Sequence, residues 1–296
     1  MEFHQLRYVC AVAETSSFSR AAERCQIAQP SLSQQVLKLE EDLGARLFDR
    51  LGRSVRLTEA GRAFVPYARS ILEQTEAARS SVADKKADIR GSVVVGIIPT
   101  IAPYLMPRYA AGFAKKFPDA KLRILEKTTP VLVEGLRDLS IDLAILALPL
   151  RHKDLECFPL CTEPLFAVLP KEHPRAAAKS LSLKELRGES FVMLRDGHCL
   201  RDLSIATCTH ARITPNIAFE SDQISSLLGM VSAGVGVALV PEMAIDRGAA
   251  CRYVRLSDTR AVRRIVLAVL RGRSFNRVQQ AFISGVQEGR KETSFR

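Results

Sequence analysis

Seven cysteines stand at positions 10, 25, 157, 161, 199, 208 and 251 of a 296-residue chain. An odd number at irregular spacing does not make an extracellular disulfide framework, and in a reducing compartment most such thiols are buried and inert. Cys199 differs in its local chemistry. A thiol is a nucleophile only as its thiolate, which positive charge, hydrogen-bond donors or a helix N-terminus favour. His198 and Arg201 adjoin Cys199, and Gly197 precedes a Leu-Arg-Asp-Leu helical pattern that sets the sulfur over a first turn. Spacing alone still reads Cys199 and Cys208 as ordinary core cysteines. Cys157 and Cys161, with His152 nearby, have CxxxC spacing without a second ligand pair, so a structural role is expected rather than a metal. Cys10, Cys25 and Cys251 fall at apolar-face or turn positions and receive no chemistry, and no cofactor is expected.

The elements that would carry such chemistry begin with a helical segment at residues 2–14, where Phe3, Leu6, Val9, Cys10 and Ala13 mark one face. Thr15, Ser16 and Ser17 break it, and a serine-capped helix over residues 18–25 follows, with the small Ala21 and Ala22 packed inward. Residues 26–29 make a turn, Pro30 suits the first helical position, and residues 31–43 place Leu32, Val36, Leu39 and Leu43 inside before Gly44 stops the helix. Ser31, Ser33, Gln34 and Lys38 then face outward, the short donors and acceptors that major-groove reading requires. Residues 47–57 gather Arg50, Arg53 and Arg56 around Gly52, a hairpin wing whose guanidinium groups pair with phosphates. Thr58 caps a long amphipathic helix reaching about Lys86, with Pro66 as an early kink or first-turn feature. Such a helix between domains seeks a partner helix and points to dimerisation.

After Gly91 the pattern alternates strand and helix: strands near 93–98, 122–125 and 143–148, helices over 102–117 and 131–139. This is an α/β arrangement with parallel strands. Segments 165–170, 191–194, 217–219 and 237–240 form a second lobe, and 265–270 with a terminal helix returns to the first. A cleft between two such lobes binds small ligands. The expected division is a winged helix-turn-helix at 1–58, a linker helix at 59–90 and a two-lobed regulatory domain at 91–296.

With 47% hydrophobic and 25% charged residues the chain can bury cores for two or three domains. No apolar run approaches the ~18 residues of a membrane span, and the N-terminus has no cleavable apolar stretch, so a cytoplasmic location away from membranes is expected. The net charge is +11, yet residues 1–66 carry 9 basic against 8 acidic side chains while residues 240–296 carry 12 against 5. The excess is therefore read as a solvated C-terminal face rather than a DNA footprint.

The stretch SSFSRAAERCQIAQPSLSQQVLKLEEDLGARLFDR at 16–50, followed by LTEAG at 57–61, strongly resembles the LysR-type transcriptional regulators, and the resemblance covers essentially the whole chain. It implies a winged helix-turn-helix, a dimerising linker helix, a periplasmic-binding-protein-like effector domain of two α/β lobes, and a homotetramer built as a dimer of dimers on promoter DNA, with RNA polymerase as a further partner. Gln29, Pro30, Ser31, Ser33 and Gln34 would face double-stranded DNA from the recognition helix, and Arg50 and Arg53 from the wing. GIIPTIAPYLMP at 96–107, TTP at 128–130 and LRDGHCLRDLSIATC at 194–208 look like the peroxide-sensing OxyR branch. That resemblance implies hydrogen peroxide as the signal, a pocket of Thr100, Thr129, His198, Cys199 and Asp202, and Cys208 as the second redox cysteine. Two departures bear on switching and tetramer contacts: Leu-Ser-Ile-Ala-Thr before Cys208 lacks an expected aromatic residue, and Leu228 replaces an expected basic one.

On that reading Cys199 is oxidised to a sulfenic acid, Thr100 and Thr129 hold the two peroxide oxygens, and Cys208 condenses with the product to a disulfide. If 199–208 were one helix, nine steps of ~1.5 Å and ~100° would put the two cysteines about 13 Å apart on opposite faces. A disulfide tolerates about 7 Å between Cα atoms, so oxidation must remodel the segment. The alternatives are a family member gated by a noncovalently bound metabolite in the cleft, and a thiol peroxidase. The attached DNA-reading module disfavours an enzyme.

Overall fold

A computed structural model describes residues 1–51, 54–82, 89–150 and 152–289, which fall into two compact units, one built chiefly on Met1–Ile89 and the other on Arg90–Arg273. In the first, α1 (Phe3–Thr15), α2 (Phe18–Cys25) and α3 (Gln29–Leu43) pack around Val9, Val12, Ala21, Ala22, Leu32, Val36 and Leu39. Ser17 caps α2 by accepting from the Arg20 amide at 3.4 Å. The helix α3 begins one residue earlier than its proline suggests, at Gln29 behind the N-cap Ala28, so Pro30 is its second residue.

Leu43 is a correction: it is 39% exposed, and Glu40 is buried in the same turn. The reason is hydrogen bonding. The Glu40 carboxylate accepts from the amides of Leu47 at 2.7 Å and Phe48 at 3.1 Å, which are the entry to the wing and would otherwise be buried donors without partners. The wing is an antiparallel pair, β1 (Phe48–Leu51) and β2 (Ser54–Leu57), with Phe48 opposite Leu57; Gly52 and Arg53 lie outside the described residues. Thr58 caps α4 (Glu59–Val82), its hydroxyl accepting from the Gly61 amide at 2.9 Å. Lys86, the expected end, lies outside the described residues. Pro66 is inside α4, well beyond the first turn.

The second unit holds β3 (Gly91–Ile97), α5 (Ala102–Lys116), β4 (Ala120–Glu126), α6 (Thr129–Arg137), β5 (Leu143–Ala147), β6 (Leu155–Pro170), β7 (Ser180–Leu181), β8 (Ser190–Leu194), α7 (Cys199–His210), β9 (Asn216–Ser221), α8 (Ile224–Ser232), β10 (Ala238–Pro241), β11 (Cys251–Leu256), β12 (Val262–Leu270) and α9 (Arg277–Gly289). The first lobe orders its strands β4-β3-β5-β12-β6. The expectation of parallel strands holds for β4, β3 and β5, but β12 runs antiparallel to both β5 and β6. The second lobe pairs β8 with β9 in parallel and sets β10 and β11 antiparallel to the far half of β6.

The 16-residue β6 is longer than the sequence pattern implied. Its residues up to Pro164 pair with β12 and its later residues with β10 and β11, so one strand threads both lobes. Each helix that follows a parallel strand starts at that strand's C-terminal edge, and this brings the beginnings of α5, α6 and α7 to one place.

Candidate redox site

Cys199 is the first residue of α7, and His198 is its N-cap. The chain reaches them from β8 through Gly197, whose φ of +89° belongs to the region that L side chains rarely occupy. Thr100 lies between β3 and α5 and is 2% exposed, and Thr129 is the first residue of α6. Both hydroxyls act on the Cys199 sulfur in the sense that favours a thiolate. The Thr129 Oγ1 is buried and its nearest role in the site is this action on the Cys199 sulfur. Three helix N-termini thus meet at one thiol, where backbone N–H groups and helix dipoles favour negative charge.

The cation that serves this thiol is a correction to the sequence reading. Arg201 was expected to help ionise Cys199, but its guanidinium is tied up by Asp196 at 2.7 Å, by Glu220 and by the Leu194 carbonyl at 2.9 Å. Arg263 of β12 acts instead. It is fully buried, donates through Nη1 to the Thr100 hydroxyl at 3.0 Å, and pairs with the equally buried Glu163 of β6 through Nε at 2.9 Å and Nη2 at 2.7 Å. Neither Arg263 nor Glu163 was identified from the sequence. The available sign was the Arg-Arg step at 263–264 next to an apolar strand run, where alternation must turn one of the two inward.

Burial pushes the Cys199 thiol above its ordinary pKa of 9.0. Arg263 opposes that shift, Asp202 adds to it, and the Thr100 and Thr129 hydroxyls reduce it. At neutral pH the group is a thiol whose thiolate is stabilised by specific neighbours when it forms. Asp202 is exposed on the first turn of α7, within Coulombic reach of the sulfur. His198 is buried, with Nε2 3.6 Å from Asp222, and it lines with Thr100, Pro99, Tyr104, Lys127 and Gln223 a cleft of about 670 Å³ between the lobes.

Cys208 lies on the same continuous helix, fully buried in the apolar core of the second lobe, and desolvation raises its pKa to about 11. Nine helical steps separate it from Cys199, which puts the two residues on opposite faces of the helix and about 13 Å apart along its axis. In the first unit Gln29, Pro30, Ser31, Gln34 and Lys38 are exposed along α3, and Ser33 is half-buried. Gln35 is held inward by His4 at 3.1 Å and Gln5 at 3.2 Å. Arg50 is placed on β1 opposite Val55, and Arg56 is exposed on β2.

Residues 3–62 match the bacterial regulatory helix-turn-helix of the lysR family, and residues 86–291 match the LysR substrate binding domain. The DNA-binding transcriptional dual regulator OxyR of Escherichia coli K12 is 35% identical over 248 residues, covering 83% of this chain and 80% of its own. The hydrogen peroxide-inducible genes activator of Pectobacterium carotovorum is 34% identical over 250 residues, covering 83% and 82%. Among solved structures, a full-length OxyR variant from Pseudomonas aeruginosa superposes with a TM-score of 0.81 at 31% identity, covering 97% of this chain and 98% of that one. A hydrogen peroxide-bound OxyR mutant of Corynebacterium glutamicum gives 0.63 at 32% identity over 98% and 94%. Two matched domains in this order, spanning nearly every element described above, establish that the chain belongs to the LysR family of DNA-binding transcriptional regulators.

Proposed function

We propose that this regulator senses hydrogen peroxide through Cys199. The observation that carries the reading is a half-buried thiol at the start of α7, set beside the hydroxyls of Thr100 and Thr129 and within Coulombic reach of the Arg263 guanidinium. The Cys199 thiolate attacks one peroxide oxygen and the O–O bond breaks. The departing hydroxide takes a proton through the threonine hydroxyls and leaves as water, giving a sulfenic acid. Cys208 then attacks the oxidised sulfur, a second water leaves, and a Cys199–Cys208 disulfide remains. His198 and Asp202 complete the pocket.

The same reading divides the chain into a DNA-binding domain at 1–58, a dimerising linker helix at 59–90 and a sensing domain at 91–296. It acts in the cytoplasm as a homotetramer on double-stranded promoter DNA and engages RNA polymerase there. Gln29, Pro30, Ser31, Ser33 and Gln34 read the duplex, and Arg50 and Arg53 hold its phosphates. The chain is a regulator and not an enzyme, consuming one peroxide per switching event.

The cleft favours a second reading, control by a noncovalent metabolite, because about 670 Å³ exceeds what peroxide needs. Stoichiometric peroxide followed by intact mass and disulfide mapping separates the two. A Cys199–Cys208 link absent from Cys199→Ser supports the redox reading. A wild-type chain with no such link, whose DNA binding answers a metabolite but not an oxidant, replaces it.

A further inference from the structure

Arg263 links one anion to the site of the thiol. Its Nε and Nη2 donate to one carboxylate oxygen of Glu163, while Nη1 reaches the Thr100 hydroxyl that adjoins the Cys199 sulfur. The other Glu163 oxygen accepts from the Met243 amide at 2.8 Å, which fixes the carboxylate in the second lobe's wall. Both members of the ion pair have no solvent exposure. A guanidinium cannot shed its proton inside a protein, and a buried charge must find a counter-ion. Glu163 and a Cys199 thiolate are therefore competing partners for one fixed positive charge.

We infer that Glu163 is a positioning residue that sets the trigger threshold of the sensor: by neutralising Arg263 it keeps Cys199 protonated at rest, and by holding Arg263 in place it keeps the cation within reach of the thiolate. This rests on the reading of Cys199 as the sensor thiol. The other groups in the neighbourhood leave the competition between these two. Asp202 and His198 flank Cys199 on its own helix and cap, α6 contributes the neutral Thr129, Tyr104 of α5 faces Arg263 as a phenol whose pKa burial raises, and Glu242 and Asp246 act by charge on Glu163 and Tyr104 rather than on the Cys199 sulfur. Among the described residues Glu163 is the carboxylate bonded to Arg263.

The test is the pH dependence of Cys199 alkylation by iodoacetamide in the full-length reduced chain, read by mass spectrometry. Trypsin separates Cys199, in the 196–201 peptide, from Cys208, in the 202–212 peptide. Glu163→Gln keeps the shape and removes the charge, so Arg263 turns to the sulfur. The alkylation midpoint falls by about one pH unit, which is about tenfold more thiolate at neutral pH. Glu163→Asp retains the charge and restores the wild-type profile. The paired variant Glu163→Met with Arg263→Met leaves no buried charge and keeps the experiment decisive where the single variant fails to fold; its midpoint lies above wild type. A folded Glu163→Gln chain with an unmoved or raised midpoint, or a double variant with an unmoved one, overturns the inference. Because alkylation involves no peroxide, this result stands or falls separately from the redox reading.

Discussion

Oxidation to the Cys199–Cys208 disulfide cannot leave α7 intact. The two residues are nine apart in one helix, about 13 Å along its axis, and the cross-link allows about 7 Å between Cα atoms, so about 6 Å of helical rise must disappear. Removing that rise lifts Leu200 and Cys208 out of the second-lobe core, where they are 1% and 0% exposed. Their lost burial costs about 3 kcal/mol together. The new bond closes a loop of about ten residues, which restrains the unfolded chain by a similar ~3 kcal/mol. The two terms nearly cancel, so the melting temperature should change little while local protection collapses. Hydrogen exchange resolved to the 202–212 segment is the appropriate assay. In the reduced chain its helical amides exchange slowly, and after stoichiometric peroxide they exchange at the rate of an open loop. Cys208→Ala, which stops at the sulfenic acid, keeps the reduced pattern. A disulfide-linked wild-type chain with α7 still protected would refute the geometry.

Three further outcomes test parts of the account. Glu40→Ala removes the acceptor of two buried amides and should destabilise the DNA-binding unit by about 3 kcal/mol, read by urea denaturation. Gly61→Ala should also weaken that unit, because a Cβ there would stand 2.1 Å from the Leu47 carbonyl oxygen; unchanged stability would mean that the wing does not close on α4 as described. Since burial holds the Cys199 pKa above 9.0, its thiolate fraction at neutral pH is small and grows with each step toward that value. Stopped-flow oxidation by peroxide should accelerate nearly tenfold between pH 7 and pH 8, and a flat profile would contradict a thiol resting state.

The order and type of the DNA-binding elements were legible because local signals mark them: Ser17 as a cap, Ala21 and Ala22 at a close helix contact, Gly44 at a helix end. Leu43 was misplaced because a hydrophobic period cannot register a buried carboxylate, and Glu40 is inside for the sake of amides seven and eight residues away. The clustering around Cys199 was legible as a motif, with Thr100, Thr129 and His198 brought to its neighbourhood at three helix starts. Its electrostatics were not. Adjacency in sequence nominated Arg201, whereas the acting cation is 64 positions beyond Cys199, and its counter-ion is 100 residues from it on another strand. Such pairs are fixed by sheet register, here the opposition of Arg263 and Glu163 across β12 and β6, and no turn joins these two strands to mark their register locally in the sequence.

The central claim is that peroxide chemistry at Cys199 rearranges how the DNA-reading helices are presented. It is tested most directly by paired footprints of the reduced and peroxide-treated full-length chain on a DNA fragment selected by the chain from a random pool. The expected result is protection in both states over different lengths, reversed by dithiothreitol and absent as a change in Cys199→Ser. Identical footprints in a sample shown by mass to carry the disulfide would contradict it.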